Sequence, residues 1–261
     1  MGILNLTPDS FSDGGKYFNN PKSALQRVAE MISEGAKIID IGGYSTRPCA
    51  VDISTDEEIS RIYEVVKMVL NEYQDVIISI DTFRATVAKE MLELGAHIIN
   101  DIGGGTLDRD MYNTVAQYDA PYILMHIKGT PKTMQQNPVY QDVTKDVWDY
   151  FIEKIPLAQN AGIKDIIMDV GFGFGKTLTH NYSLFRELDK YALLGLPMMV
   201  GISRKSMVTK LLNIDKKEAL PFTTTLHFNA LQNNVNILRT HDVKETVKVI
   251  ELFCYLQDGN L

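Results

Sequence analysis

The chain has 261 residues, 45% hydrophobic and 23% charged, with a mean hydropathy of −0.09, enough for one large core of ordinary globular composition. A net charge of −7 and a pI near 5.3 argue against a nucleic-acid binder, which needs a broad basic surface. Cys49 and Cys254 form no disulfide framework or CxxC pair, the five histidines lack HExxH spacing, and no apolar run approaches the ~20 residues of a membrane span. A cytoplasmic protein without a membrane anchor, a targeting signal or a tight protein-held metal is expected.

In chain order, short apolar runs alternate with amphipathic stretches. Strands are predicted near 2–6, 38–41, 76–80, 97–100, 121–125, 166–168, 197–200 and 235–238. Helical patterns follow them near 23–34, 55–70, 84–94, 108–118, 142–160, 181–191, 203–212 and 242–256, with a further one at 219–232. Gly35 and Gly95 sit where helix-terminating glycines belong, and Asp108 and Asp242 are expected N-caps. Eight strand–helix units near the usual ~250 residues imply a parallel sheet closed into a single-domain (β/α)8 TIM barrel.

In such barrels the chemistry sits where strands end, and here those ends are polar. They offer Asn5, Thr7 and Asp9 after strand one, Ser45, Thr46 and Arg47 after strand two, and Asp81 after strand three. Strands four and five give Asn100, Asp101, His126 and Lys128; strands six to eight give Asp169, Lys176, Ser203 to Ser206, Arg239 and His241. Arg47, Arg204, Lys205, Arg239 and His241 would gather positive charge at one mouth of an acidic protein, so an anionic substrate is expected, with phosphate the natural ligand of the last two loops. Asp81, Asn100 and Asp169 would give the opposite half hydrogen-bond acceptors, suited to the guanidine-like edge of a pterin, although such residues also cap helices and satisfy backbone.

The run DVGFGFGK, Asp169 to Lys176, brings a carboxylate, two aromatic rings, three glycines and a lysine to one turn. Gly171 to Gly175 leaves three residues where a P-loop needs four, and Lys176 stands where a Rossmann fingerprint needs glycine. A turn in which an aromatic ring stacks on a ligand read by an anchored acid remains, beside an ordinary glycine-rich turn.

MGILNLTPDSFSDGG, GGYSTRP, SIDTF, NDIGG, DVGFGFGK, GISRKS and RTHDV, in this order and spacing, resemble the motif set of bacterial dihydropteroate synthases over residues 1 to about 250. The resemblance implies condensation of 6-hydroxymethyl-7,8-dihydropterin pyrophosphate with p-aminobenzoate, release of pyrophosphate, and sensitivity to sulfonamides. It implies that Asp81, Asn100, Asp169 and Lys205 hold the pterin, and that Asn5, Thr46, Arg47, Arg239 and His241 hold pyrophosphate, with Asn5 also a ligand of Mg2+. Phe11, Ser45, Pro48, Phe174 and Ser206 would frame the p-aminobenzoate slot, with the loops after strands one and two as lids. Catalysis would fall to Asn5, Arg47, Asp81, Asp169, Lys205, Arg239 and His241, acting by electrostatics and positioning rather than through a nucleophile.

Val170, Thr240 and PFTTTLHF at 221–228 depart from the family pattern; the last lies where family members usually dimerise, and a homodimer is expected. The rival readings are a pterin-binding methyltransferase, which would not need Arg47, SRKS and RTH together, and a noncatalytic pterin-binding barrel, which would tolerate loss of Asn5.

Overall fold

The computed structural model describes residues 1–8, 17, 19–46 and 50–258. Eight parallel strands run in sequence order: β1 (Gly2–Asn5), β2 (Ile38–Gly42), β3 (Ile77–Asp81), β4 (Ile98–Asp101), β5 (Tyr122–Met125), β6 (Ile166–Asp169), β7 (Met198–Val200) and β8 (Ile237–Leu238). A parallel bridge between Gly2 and Thr240 closes the ring, with Ile3 N–H donating to the Thr240 carbonyl at 3.0 Å and Thr240 N–H to that of Met1 at 2.9 Å. The expected TIM barrel forms, with every strand within two residues of its expected bounds.

Helices α1 (Pro21–Ser33), α2 (Thr55–Glu72), α3 (Ala85–Leu94), α4 (Met111–Gln117) and α5 (Val143–Asn160) follow the first five strands. Then come α6 (Leu178–Arg186), α7 (Leu188–Tyr191), α8 (Ser206–Leu212), α9 (Leu220–Gln232) and α10 (Val243–Asp258). The starts follow local chemistry: Asn20 and Ser54 accept from the backbone N–H of Ser23 and Glu57, and Thr177 and His180 cap α6 reciprocally. Gly95 ends α3 in the left-handed region, φ 116°.

Three expectations change here. Helix 181–191 is broken into α6 and α7 at Glu187. Asp108 serves two helices: its Oδ2 accepts from Ala85 N–H at 2.8 Å and so caps α3, while its Oδ1 accepts from Asp110 N–H at 3.1 Å in the turn that leads into α4. The carboxylate of Asp242, at the start of α10, is bound instead by Arg204.

The main core lies between the outward strand faces and the helices, where Leu4, Ile41, Ile80, Leu124 and Val200 meet residues such as Val66, Met91 and Phe151. Inside the barrel, Ile98, Ile123, Ile167 and Met199 fill the lower layer. Above that apolar plug the interior turns polar, and strand register places Asn5, Gly42, Asp81 and Asn100 side by side. A Cβ on Gly42 would lie 3.2 Å from that of Asp81, so glycine keeps this row open.

Candidate active site

A cavity of about 640 Å³ opens at the carboxyl ends of the strands. Asn5, Ser45, Thr46, Asp81, Asn100, Asp169, Phe174, Lys205, Ser206, Arg239 and His241 all border it. Phe11, Arg47 and Pro48 lie outside the described residues.

The floor is one hydrogen-bonded network around Asp40, fully buried on β2. Its carboxylate accepts from Ser79 Oγ at 2.6 Å, Asn100 Nδ2 at 3.1 Å and Arg239 Nε at 2.6 Å. A second guanidinium nitrogen of Arg239 reaches Asp81 Oδ2 at 2.7 Å. Burial pushes the Asp81 carboxyl up, with Arg239 opposing and Asp40 adding to the rise. Arg239, expected on the leaving-group side alone, is therefore also the counter-charge of two carboxylates in the floor. Asp40 escaped the sequence reading because IIDIG reads as an apolar strand; the available signal was that a charge inside such a run needs a buried partner.

The glycine turn forms the facing wall. Asp169 at the end of β6 accepts from Gly171 N–H at 2.8 Å; burial raises its pKa against the pull of Lys205 and of that N–H. Gly171, Gly173 and Gly175 all have φ between 64° and 82°, and a Cβ on Gly171 would come within 2.0 Å of the His126 carbonyl oxygen. The Lys205 ammonium donates to the Phe172 carbonyl and stands 4.7 Å from the centre of the Phe174 ring; burial lowers its pKa to about 8 despite Asp169. Phe172 itself is buried against Phe185, with ring centres 5.8 Å apart, which leaves Phe174 as the turn's half-buried ring. Gln135, from the loop after β5 and absent from the expected set, borders the cavity and donates to the Gly173 carbonyl at 2.6 Å.

Other strand-end residues are structural. Asp101 is saturated by Gly103 N–H at 2.6 Å, Gly105 N–H at 2.7 Å and Tyr122 OH at 2.5 Å. Lys128 donates to the Val139 carbonyl beneath the Tyr140 ring, and His126 is buried against Lys176. Arg204 sits at φ 53° with its guanidinium on Asp242, Nε to Oδ2 at 2.9 Å, and does not border the cavity. Of the five residues expected to gather positive charge, Lys205, Arg239 and His241 thus border the cavity, Arg204 does not, and Arg47 lies outside the described residues.

The sequence matches the pterin binding enzyme family over residues 1–241. It is 44% identical over 254 residues to dihydropteroate synthase of Escherichia coli K12, covering 97% of this chain and 89% of that protein. The chain belongs to the dihydropteroate synthase family. Among solved structures, the Yersinia pestis dihydropteroate synthase in a sulfonamide drug complex superposes with a TM-score of 0.94 at 42% identity, covering 98% of this chain and 93% of that one. The Thermus thermophilus dihydropteroate synthase in complex with 4-aminobenzoate gives 0.86 at 36% identity, covering 98% and 93%. As in other barrels, this dihydropteroate synthase-family site draws its side chains from several strand ends, which is why residues scattered from 5 to 241 converge.

Proposed function

We infer that the chain is a dihydropteroate synthase, joining 6-hydroxymethyl-7,8-dihydropterin pyrophosphate to p-aminobenzoate with release of pyrophosphate, and a target of sulfonamides that compete for the arylamine position. The observation that carries the reading is one cavity with acceptors Asp81, Asn100 and Asp169 on one side and donors Lys205, Arg239 and His241 beside them, in a chain that matches the family almost end to end.

In this mechanism Asp81 and Asp169 accept from the N–H groups of the pterin and Asn100 and Lys205 complete the clamp, fixing the methylene that carries the leaving group. Asn5, Thr46, Arg47, Arg239 and His241 take the pyrophosphate and stabilise the negative charge that grows on it as the C–O bond breaks. The electron-rich pterin ring carries the positive charge left behind. The arylamine nitrogen, held beside Ser45, Phe174 and Ser206 with Phe11 and Pro48, then adds to the methylene and loses a proton. None of these residues acts as a nucleophile.

Mg2+ fits as an ion shared with the substrate. Asn5 brings a side-chain amide to the cavity wall, and among the described residues no group of three His, Cys, Asp or Glu could hold a metal alone. When bound, Mg2+ would neutralise charge on the departing oxygens. Phe222 on α9 and Leu252, Tyr255 and Leu256 on α10 are large apolar side chains at least 42% exposed, which supports a homodimer through these helices. Among the described residues no helix is long and apolar enough to cross a membrane, and a cytoplasmic enzyme is the matching proposal.

The test is pyrophosphate release from the pterin substrate with Mg2+, with and without p-aminobenzoate. Release that depends on the arylamine and yields dihydropteroate supports the reading; no such dependence rejects it. Sedimentation at micromolar concentration tests the dimer, and a monomer there rejects that part.

A further inference from the structure

The buried lysine of the glycine turn is used by no step above. Lys176 is 3% exposed, and its ammonium folds back beneath the turn it ends. It lies 2.9 Å from the Gly171 carbonyl, 3.0 Å from that of Phe174 and 2.8 Å from His126 Nδ1. The His126 carbonyl is a longer fourth contact at 3.4 Å. Burial pulls the Lys176 pKa well below the usual lysine range, with Asp169 opposing, and when protonated its three donors meet three good acceptors. None of the acceptors is a carboxylate. The groups that face this ammonium are His126 from the end of β5, Asp169 from β6 and Lys205 from the loop after β7. Burial and the nearby lysines keep His126 neutral, so its Nδ1 can accept.

This arrangement fixes what the turn presents. With Gly171 and Phe174 carbonyls drawn under the loop, the Phe174 ring is directed to the cavity and the Phe172 carbonyl to Lys205. Asn181 accepts from Gly173 N–H at 2.7 Å and Tyr140 OH donates to the Gly175 carbonyl at 2.8 Å, so two further polar positions of the turn are also held by side chains. Lys176 borders the cavity from the turn, whereas His126 does not.

We propose that the Lys176–His126 pair is a positioning device for the arylamine half of the site: it sets the backbone that aims Phe174, and with it the Lys205 contact, with His126 itself clear of the arylamine. The proposal rests on the dihydropteroate synthase reading.

Removing the acceptor while leaving the cavity lining intact tests it. His126→Leu is expected to raise the KM for p-aminobenzoate by about tenfold, in keeping with the cost of a small misplacement of a positioned group, while pterin affinity by calorimetry changes no more than about threefold. His126→Asn, whose Oδ1 can replace Nδ1 as acceptor, should restore the arylamine KM to within about threefold of wild type. Equal loss for both substrates, or a folded His126→Leu enzyme with unchanged KM, overturns the proposal. A readout free of turnover keeps the two readings separable. The Lys205 side-chain methylenes near the Phe174 ring should carry an upfield ring-current shift in lysine-labelled protein, and that shift should shrink in His126→Leu and return in His126→Asn. If wild-type protein releases no pyrophosphate on adding p-aminobenzoate, the functional reading fails, while an unmoved Lys205 resonance in His126→Leu still rejects the positioning role.

Discussion

Two walls of the same cavity are held by different physics. The floor is charge against charge: Asp40, Asp81 and Arg239 bond directly, with Ser79 and Asn100 filling the remaining acceptor sites. The glycine turn is held by lysine amines on neutral acceptors, Lys176 and Lys205 donating to carbonyl oxygens. Loss of a charge should therefore damage the floor more than the turn, because a buried carboxylate left alone is far costlier than a neutral carbonyl left alone.

The strongest break of that comparison is Arg239→Ala. It strands Asp40 and Asp81 together, and stability should fall by roughly 3 to 5 kcal/mol in urea unfolding. Binding should weaken for the unesterified pterin as well as for the pyrophosphate ester, because the guanidinium braces both sides. A loss below about 1 kcal/mol would mean that the floor is not charge-held.

Asp169→Asn probes the junction of floor and turn. The amide keeps the shape but presents a donor to the pterin's donors, and affinity should drop by roughly 2 kcal/mol. Calorimetry giving affinity within about twofold would remove Asp169 from the clamp.

Lys205 belongs to the turn and titrates. With its pKa lowered to about 8, it is protonated and able to donate below that pH and loses the proton above it. The rate kcat/KM should fall on the alkaline side from about pH 8, by roughly tenfold per unit, and Lys205→Arg should move that limb beyond the accessible range. An unchanged limb in the arginine variant would assign it elsewhere.

The smallest effect lies outside both walls. Asp108→Ala removes the cap from α3 and should cost roughly 1 kcal/mol of stability with kcat/KM unchanged. A change in kcat/KM would show that the end of β3 at Asp81 feels the cap.

The strands were legible because isoleucine-rich runs such as those at β3, β4 and β6 leave little alternative to a buried parallel strand, and their ends give Asp81, Asn100 and Asp169 directly. Partnerships were not legible. Asp40 reads as an irregularity until a residue 199 positions away is placed beside it. Asp108 caps a helix that precedes it by 23 residues, and Arg204 is drawn off by Asp242, 38 residues on. Local pattern reports which face a side chain occupies, whereas long-range contact decides whether a charge is spent within the protein or offered to a ligand.

The hydrogen bond from Asn100 Nδ2 to Asp40 also sets a chemical filter. With the amide nitrogen turned to the floor, the oxygen is the atom left for the cavity, beside the carboxylates of Asp81 and Asp169. A wall of oxygens welcomes a heterocycle whose edge is all N–H and repels one in which an exocyclic amine has become a carbonyl. A deaminated ring of the same outline would be refused by lone-pair repulsion and lost hydration rather than by size.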